Sequence, residues 1–132
     1  MRAFREAVEA WDFDAVEALL AEDVVFTSPV VFKPYPGKAI TAAILHGVSR
    51  VFEDFRYVRE IEGTDGENHA LVFEARVGDR TLTGCDFLHV NRDGLIDEFT
   101  VMVRPLSGAQ ALAEAMGAQF ARIEEEARAR LT

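Results

Sequence analysis

Cysteine is nearly absent from this chain. Cys85 is the only one, so no disulfide can form within the chain, and a zinc site built on several thiolates is excluded. Long apolar runs are missing too, since none approaches the roughly 20 residues that span a bilayer. The first residues, MRAFREAVEAW, alternate charge with hydrophobe where a signal peptide would carry a continuous apolar segment. A cytoplasmic location is the expectation. Basic residues are outnumbered, 14 against 23 acidic ones for a net charge of −9, and they are scattered. A phosphate-binding surface is not expected from this balance, so the expected partners include neither nucleic acid nor membrane. There is no glycine-rich phosphate loop, no Gly-x-Ser-x-Gly elbow and no His-Glu-x-x-His. The three histidines share no helical spacing that would mark a metal site. Neither a cofactor nor a metal is expected.

What is present suits one globular domain over 1–132. The length allows a real core, and 49% of the residues are apolar. Phe4, Val8 and Trp11 recur at helical spacing, and Val16, Leu19 and Leu20 resume the pattern after Asp12 or Asp14, either of which can cap a second short helix. Asp23 to Thr27 reads as a strand closed by Ser28-Pro29. Val30-Val31-Phe32 can extend it before Pro34 and Pro36, which forbid ladder pairing. Gly37 opens a helix to about Glu53 with Ile40, Ile44, Val48, Val51 and Phe52 on one face; His46 falls off that stripe and is expected at the surface. Strands follow at 55–61, 70–77, 80–90 and onward to Pro105, with turns at Gly63–Gly66 and Gly78-Asp79. A final helix over about 107–130 carries Leu112, Met116, Phe120 and Ile123 on one side. Its charged tail, with Glu124–Arg128 and Glu126–Arg130 at i,i+4, is expected to be solvated. Helices followed by a run of strands imply an α+β domain with a curved, mostly antiparallel sheet packed against helices on one face.

The most informative stretch is GCDFLHVNRDGLIDEFTVMVRP, from Gly84 to Pro105. It reads as a hairpin turning at Asn91-Arg92-Asp93-Gly94. Alternation puts Asp86, Leu88 and Val90 on one face of its first strand, and Cys85, Phe87 and His89 on the other. Phe99, Val101 and Val103 form the apolar row of the second strand. If that row looks into a pocket alongside Leu88, Asp86 goes in with it. A carboxylate among apolar neighbours is expensive unless it is paired, protonated or useful. Its pKa is expected to rise, which suits it to donate a hydrogen bond to a ligand or to exchange a proton with an acidic carbon. The alternative is a structural aspartate paired with an arginine or with backbone amides.

Three pieces, DFDAVEALLAEDVVFTSP, PYPGKAITAAI and CDFLHVNRDGLIDEF, stand in this order with characteristic gaps. Over about residues 4–105 the chain thereby resembles the nuclear transport factor 2-like superfamily, in its SnoaL-like and ketosteroid-isomerase-like branch. The resemblance implies a cone-shaped, cystatin-like fold, in which three N-terminal helices and a C-terminal helix close a curved sheet around a deep apolar cavity. It also implies a homodimer through the outer sheet face, where Phe87, Met102 and Cys85 are expected to lie. Ketosteroid isomerases use a carboxylate base, a tyrosine on the first helix and a protonated aspartic acid on a late strand, the last kept neutral by its apolar setting. Asp86 falls at the protonated-acid position, which is also where the SnoaL-like cyclases carry their acid/base. Ser28 stands at the base position and Phe4 at the tyrosine position. A serine is a poor base at neutral pH and phenylalanine donates no hydrogen bond, so ketosteroid isomerisation by that arrangement is not expected.

The reading is therefore a pocket lined by Phe26, Ser28, Val30, Phe32, Tyr57, Leu88, Phe99, Val101 and Val103, with Asp86 as its polar anchor. Its partner is a small, mostly apolar ligand. One alternative is an isomerase or cyclase using Asp86 as acid/base, with Ser28 or Tyr57 assisting. Another is a dimeric scaffold whose pocket is filled by Phe4, Trp11, Phe13 and Phe26. Tyr35 lies near the pocket mouth in this reading, Asp97 near the hairpin turn, and Glu74 on the outer face of its strand.

Overall fold

The computed structural model describes every residue from Met1 to Thr132. In chain order the elements are α1 (Arg2–Glu9), α2 (Phe13–Ala18), β1 (Leu20–Thr27), β2 (Tyr35–Pro36), α3 (Lys38–Ser49), β3 (Glu53–Glu62), β4 (Asn68–Val77), β5 (Arg80–Val90), β6 (Ile96–Arg104) and α4 (Leu106–Arg130). The strands form one sheet in the order β2-β1-β6-β5-β4-β3. Pairing is antiparallel except between β1 and β6. The β3–β6 meander therefore brings its last strand back beside the first.

Local chemistry sets the boundaries. Trp11 takes a left-handed φ of 56°, which separates α1 from α2, and the Asp12 carboxylate accepts the Ala15 N–H at 3.1 Å to cap α2. In the turn between β5 and β6, Asn91 Oδ1 accepts the N–H groups of Asp93 and Leu95 at 2.9 and 3.1 Å. Gly94 supplies the positive φ of 78° there. Alternation holds along β4, where Leu71, Phe73, Ala75 and Val77 are buried and Glu74 faces outward to Arg56 at 2.9 Å. On β5 the buried residues are Leu82, Gly84, Asp86 and Leu88.

Four sequence expectations need correction. Val30-Val31-Phe32 is not a strand, because the chain turns away after Ser28-Pro29. Tyr35 and Pro36 do pair, opposite Phe26 and Val25; β2 lies at the sheet edge, where a missing proline N–H is tolerated. The third helix ends at Ser49, and Glu53 already belongs to β3. His46 is not a surface residue: its Nε2 is buried, 3.4 Å from Glu17 and 3.5 Å from Asp14.

The tail of α4 is likewise tied down and not merely solvated. The Glu126 carboxylate bonds Arg50 at 2.8 Å, and Arg130 meets Glu126 only at its backbone carbonyl; Arg130 reaches Glu17 on α2 at 3.0 Å, and Gln119 accepts from Arg50 Nε at 2.8 Å. These links hold α4 across α3, where a Cβ on Gly47 would come within 2.7 Å of Ile123. Phe87 and Met102 do point outward, 41% and 60% exposed. No helix is long and apolar enough to cross a membrane.

Gly84 lies opposite Phe73 across β5 and β4, and a Cβ at Gly84 would overlap the Phe73 ring. Gly84→Ala should therefore destabilise the fold by about 1–3 kcal/mol through overpacking. Urea denaturation of the variant and the parent checks this, and equal midpoints would show that the ring moves aside freely.

Candidate ligand cavity

Between the inner sheet face and the four helices lies a cavity of about 370 Å³. Its walls are apolar, with aromatic rings from α1, β1, β3, β4 and β6 (Phe4, Phe26, Phe55, Phe73 and Phe99). The rings interlock: Phe4 meets Phe99 edge-on at 5.5 Å, and Phe55 stacks on Phe73 at 4.8 Å. Helix α3 contributes Ile44, Leu45 and Val48, and α4 contributes Leu112, Ala113, Met116, Gly117 and Phe120.

Polar side chains in this lining are few: Ser28, Tyr35, Tyr57 and Asp86. Ser28 Oγ already accepts the N–H of Val30 at 3.1 Å. Asp86 is 6% exposed and Tyr57 is 7% exposed, and the Tyr57 hydroxyl donates to Asp86 Oδ2 at 2.7 Å. No arginine or backbone amide reaches the Asp86 carboxyl, so the structural pairing weighed from sequence is not what holds it. Burial pushes its pKa from the ordinary 3.8 up to about 7, with the Tyr57 hydrogen bond pulling the other way. Burial, then the Asp86 charge, raises the Tyr57 phenol well above its ordinary value, so Tyr57 remains a donor at neutral pH. Oδ1 of Asp86 is left free in the cavity. Such a carboxyl can accept from a ligand hydroxyl when ionised and donate to a carbonyl when protonated.

Of the residues expected to line a pocket, Phe26, Ser28, Val30, Tyr57, Phe99 and Val101 do so together with Asp86. Phe32 does not: it is 100% exposed, because strand alternation ends at Ser28-Pro29. Leu88 is buried in the core outside the lining, two residues beyond Asp86 toward the hairpin turn. Val103 is half-buried and also outside it; it pairs with Gly84 toward the end of the sheet, where Gly108 of α4 packs on Leu82. Trp11, Phe13 and Phe26 line the cavity with Phe4 but do not fill it. Ile44, Val48, Leu112, Met116 and Phe120 were legible as parts of apolar helix faces while Leu45, Ala113 and Gly117 were not, and periodicity alone does not separate a face that packs from one that borders open space.

The other titratable groups sit elsewhere. Asp97 turns to His89 Nδ1 in a hydrogen bond, which holds the His89 pKa above its ordinary value. His69 lies beside the N-terminal amine and Gly66. Cys85 has its thiol pKa raised by burial and then by the Asp86 charge, the opposite of an activated nucleophile. Asp14, Glu17 and His46 offer ligand atoms within 4.8 Å of one another, but both Glu17 oxygens accept from Arg130, so the group is organised as an ion-pair network.

An apolar cone closed by helices, with one carboxyl on a late strand, defines a class of proteins. The chain belongs to the SnoaL-like domain family, which matches it over residues 1–99. Among solved structures it is 44% identical to a steroid delta-isomerase from Pseudomonas aeruginosa, covering 90% of this chain and 87% of that one at a TM-score of 0.86. It is 36% identical to an uncharacterised protein with a cystatin-like fold from Silicibacter pomeroyi, covering 95% and 92% at a TM-score of 0.83. The fold is also that of the epoxide hydrolase/cyclase-like enzyme of pyran-ring formation in the polyether salinomycin, at 17% identity, coverage of 80% and 87%, and a TM-score of 0.65. No match was found among the curated proteins.

An acid whose pKa is raised on folding gives stability that is intact below its unfolded pKa and declines as pH climbs toward its folded one. Between the ordinary 3.8 and about 7, wild type should lose up to about 4 kcal/mol against an otherwise equal neutral variant. Asp86→Asn should thus gain stability relative to wild type as pH rises from 4 to 8. Chemical denaturation of both proteins at several pH values reads this directly; a difference that does not vary with pH would mean Asp86 is already ionised at pH 4.

Proposed function

We propose that the cavity takes a small, mostly apolar ligand bearing one hydroxyl or carbonyl, which bonds to Asp86. The observation that carries this reading is the Tyr57–Asp86 pair buried at 2.7 Å in an otherwise apolar cavity of about 370 Å³. A buried carboxyl with an unused oxygen calls for a partner, and pockets of this size with few convergent polar groups suit such molecules. A steroid, the substrate class named for the 44% identical relative, is one ligand of this kind. The test is fluorescence titration with 1-naphthol, naphthalene and 1-naphthalenesulfonate. Naphthol should bind about tenfold more tightly than naphthalene through its hydroxyl, the sulfonate should be rejected, and Asp86→Ala should erase the naphthol advantage. Equal binding of naphthol and naphthalene to wild type would defeat the anchoring role.

A second reading is favoured by the Asp86 pKa of about 7. At neutral pH both forms are populated, which suits a residue that takes a proton from a carbon next to a carbonyl and returns it to another carbon of the same conjugated system. This would be an isomerase or cyclase resting on one carboxylate. Ser28 and Phe4 do not supply the base and phenol of the ketosteroid isomerase arrangement, and the phenol here comes from β3. Incubating 3-cyclohexenone in D₂O and following both isomerisation and deuterium uptake by NMR examines it. Wild type should catalyse both and Asp86→Asn should be at least about 100-fold slower. Wild-type rates equal to those in buffer would rule out proton transfer on this class of ketone.

A further inference from the structure

Helix α4 carries two glycines that serve different ends. Gly108 is required by close packing, since a Cβ there would come within 2.8 Å of Leu82. Gly117 has no such reason: an added Cβ meets nothing within 4 Å and its φ is an ordinary helical one. A glycine inside a helix weakens it relative to alanine, so a position with neither positive φ nor a close neighbour calls for another explanation. Gly117 lines the cavity and is exposed to solvent, as is Ala113 one turn earlier. Asp86, by contrast, is buried in the same cavity. The carboxyl therefore marks the closed end and Gly117 the open one. Nor is α4 free to shift, since Arg50 holds Gln119 and Glu126 while Arg130 holds Glu17.

We propose that Gly117 determines the length of ligand the cavity admits. An elongated apolar molecule, anchored by a polar group at Asp86, passes its far end across α4 at Gly117. This deepens, and rests on, the ligand reading above. It assigns to Gly117 and the adjoining Ala113 the selection of long over short members of one ligand series.

The experiment uses 4-alkylphenols from ethyl to octyl, titrated against wild type, Gly117→Leu, Gly117→Ala and Asp86→Ala. Wild-type affinity should rise about three- to fourfold per methylene. Gly117→Leu should weaken 4-octylphenol at least tenfold and 4-ethylphenol less than twofold. Gly117→Ala, which favours the helix, should show the same trend in smaller measure, about threefold for octyl; should the leucine variant not fold, that comparison decides. Affinities unchanged by either substitution, or lowered equally at every chain length, overturn the role of Gly117 while leaving the cavity reading intact. Failure of wild type to bind any alkylphenol more tightly than Asp86→Ala does overturns the ligand reading itself, and this inference with it.

Discussion

The organisation of this protein turns on one hydrogen bond, from the Tyr57 hydroxyl to the buried Asp86 carboxyl. Desolvation alone would drive a carboxyl at this depth to stay protonated. A cationic partner would have pinned it as an ion, and a ring of backbone amides would have done the same. Tyrosine does neither. Its own pKa is pushed up by the same burial, so it donates without carrying charge. The result is a carboxyl poised near neutrality at about 7, and that balance requires every other neighbour to be apolar. The aromatic walls thus do more than exclude water, because they preserve the chemical ambiguity of the one acid they surround.

The sheet is built to make that pair meet. Tyr57 stands opposite Phe73, Phe73 opposite Gly84, and Asp86 opposite Leu71. Tyr57 and Asp86 are thus on strands separated by β4 and offset by one step of alternation. Gly84 leaves the space that the Phe73 ring occupies, and the β3 irregularity between Tyr57 and Arg59 falls immediately after the tyrosine. Bulges of this kind re-aim side chains beside functional sites. Phe55 and Phe73 meet the Tyr57 ring edge-on at 5.0 and 6.4 Å, limiting its rotation. Specific backbone devices therefore support a contact between residues 29 positions apart.

This long separation explains what was legible in the sequence and what was not. The inward face of Asp86 followed from alternation within a single hairpin, where turn chemistry at Asn91 and Gly94 fixes the register locally. Tyr57 is expected in the pocket as one of two candidates to assist Asp86, but its direct hydrogen bond to the carboxyl did not follow, because that depends on how β3 registers against β4, and a bulge shifts that register. Phe32 misled for a related reason: alternation was extended past Ser28-Pro29, where the backbone leaves the sheet. Pro36 misled in the opposite direction, since a proline is compatible with pairing once the strand is known to lie at the edge, a fact of topology and not of composition. The charged end of α4 looked self-contained by its i,i+4 spacing, yet the side chains of Glu126 and Arg130 find their partners in Arg50, just past α3, and Glu17 on α2. In each case local spacing was sound and the error came from a tertiary alternative it does not encode.

The same distinction bears on chemistry within one fold. Motif correspondence places Ser28 and Phe4 where a base and a tyrosine would stand, which removes two groups from the arrangement known in ketosteroid isomerases. In the folded protein a phenol is nonetheless present at the carboxyl, brought by β3 instead of α1, while the Phe4 ring lies 6.5 Å from it as part of the wall. The two routes are not equivalent. A tyrosine bonded directly to the cavity's only carboxyl spends its proton on that carboxyl, leaving Asp86 Oδ1 without a partner. What the cavity can do is then decided by the protonation of one acid and by the shape of the walls, not by cooperation between two acids. A fold that tolerates this exchange of supplier can retain its architecture while changing which polar atom is left open to the cavity, and here that atom is Oδ1 of Asp86.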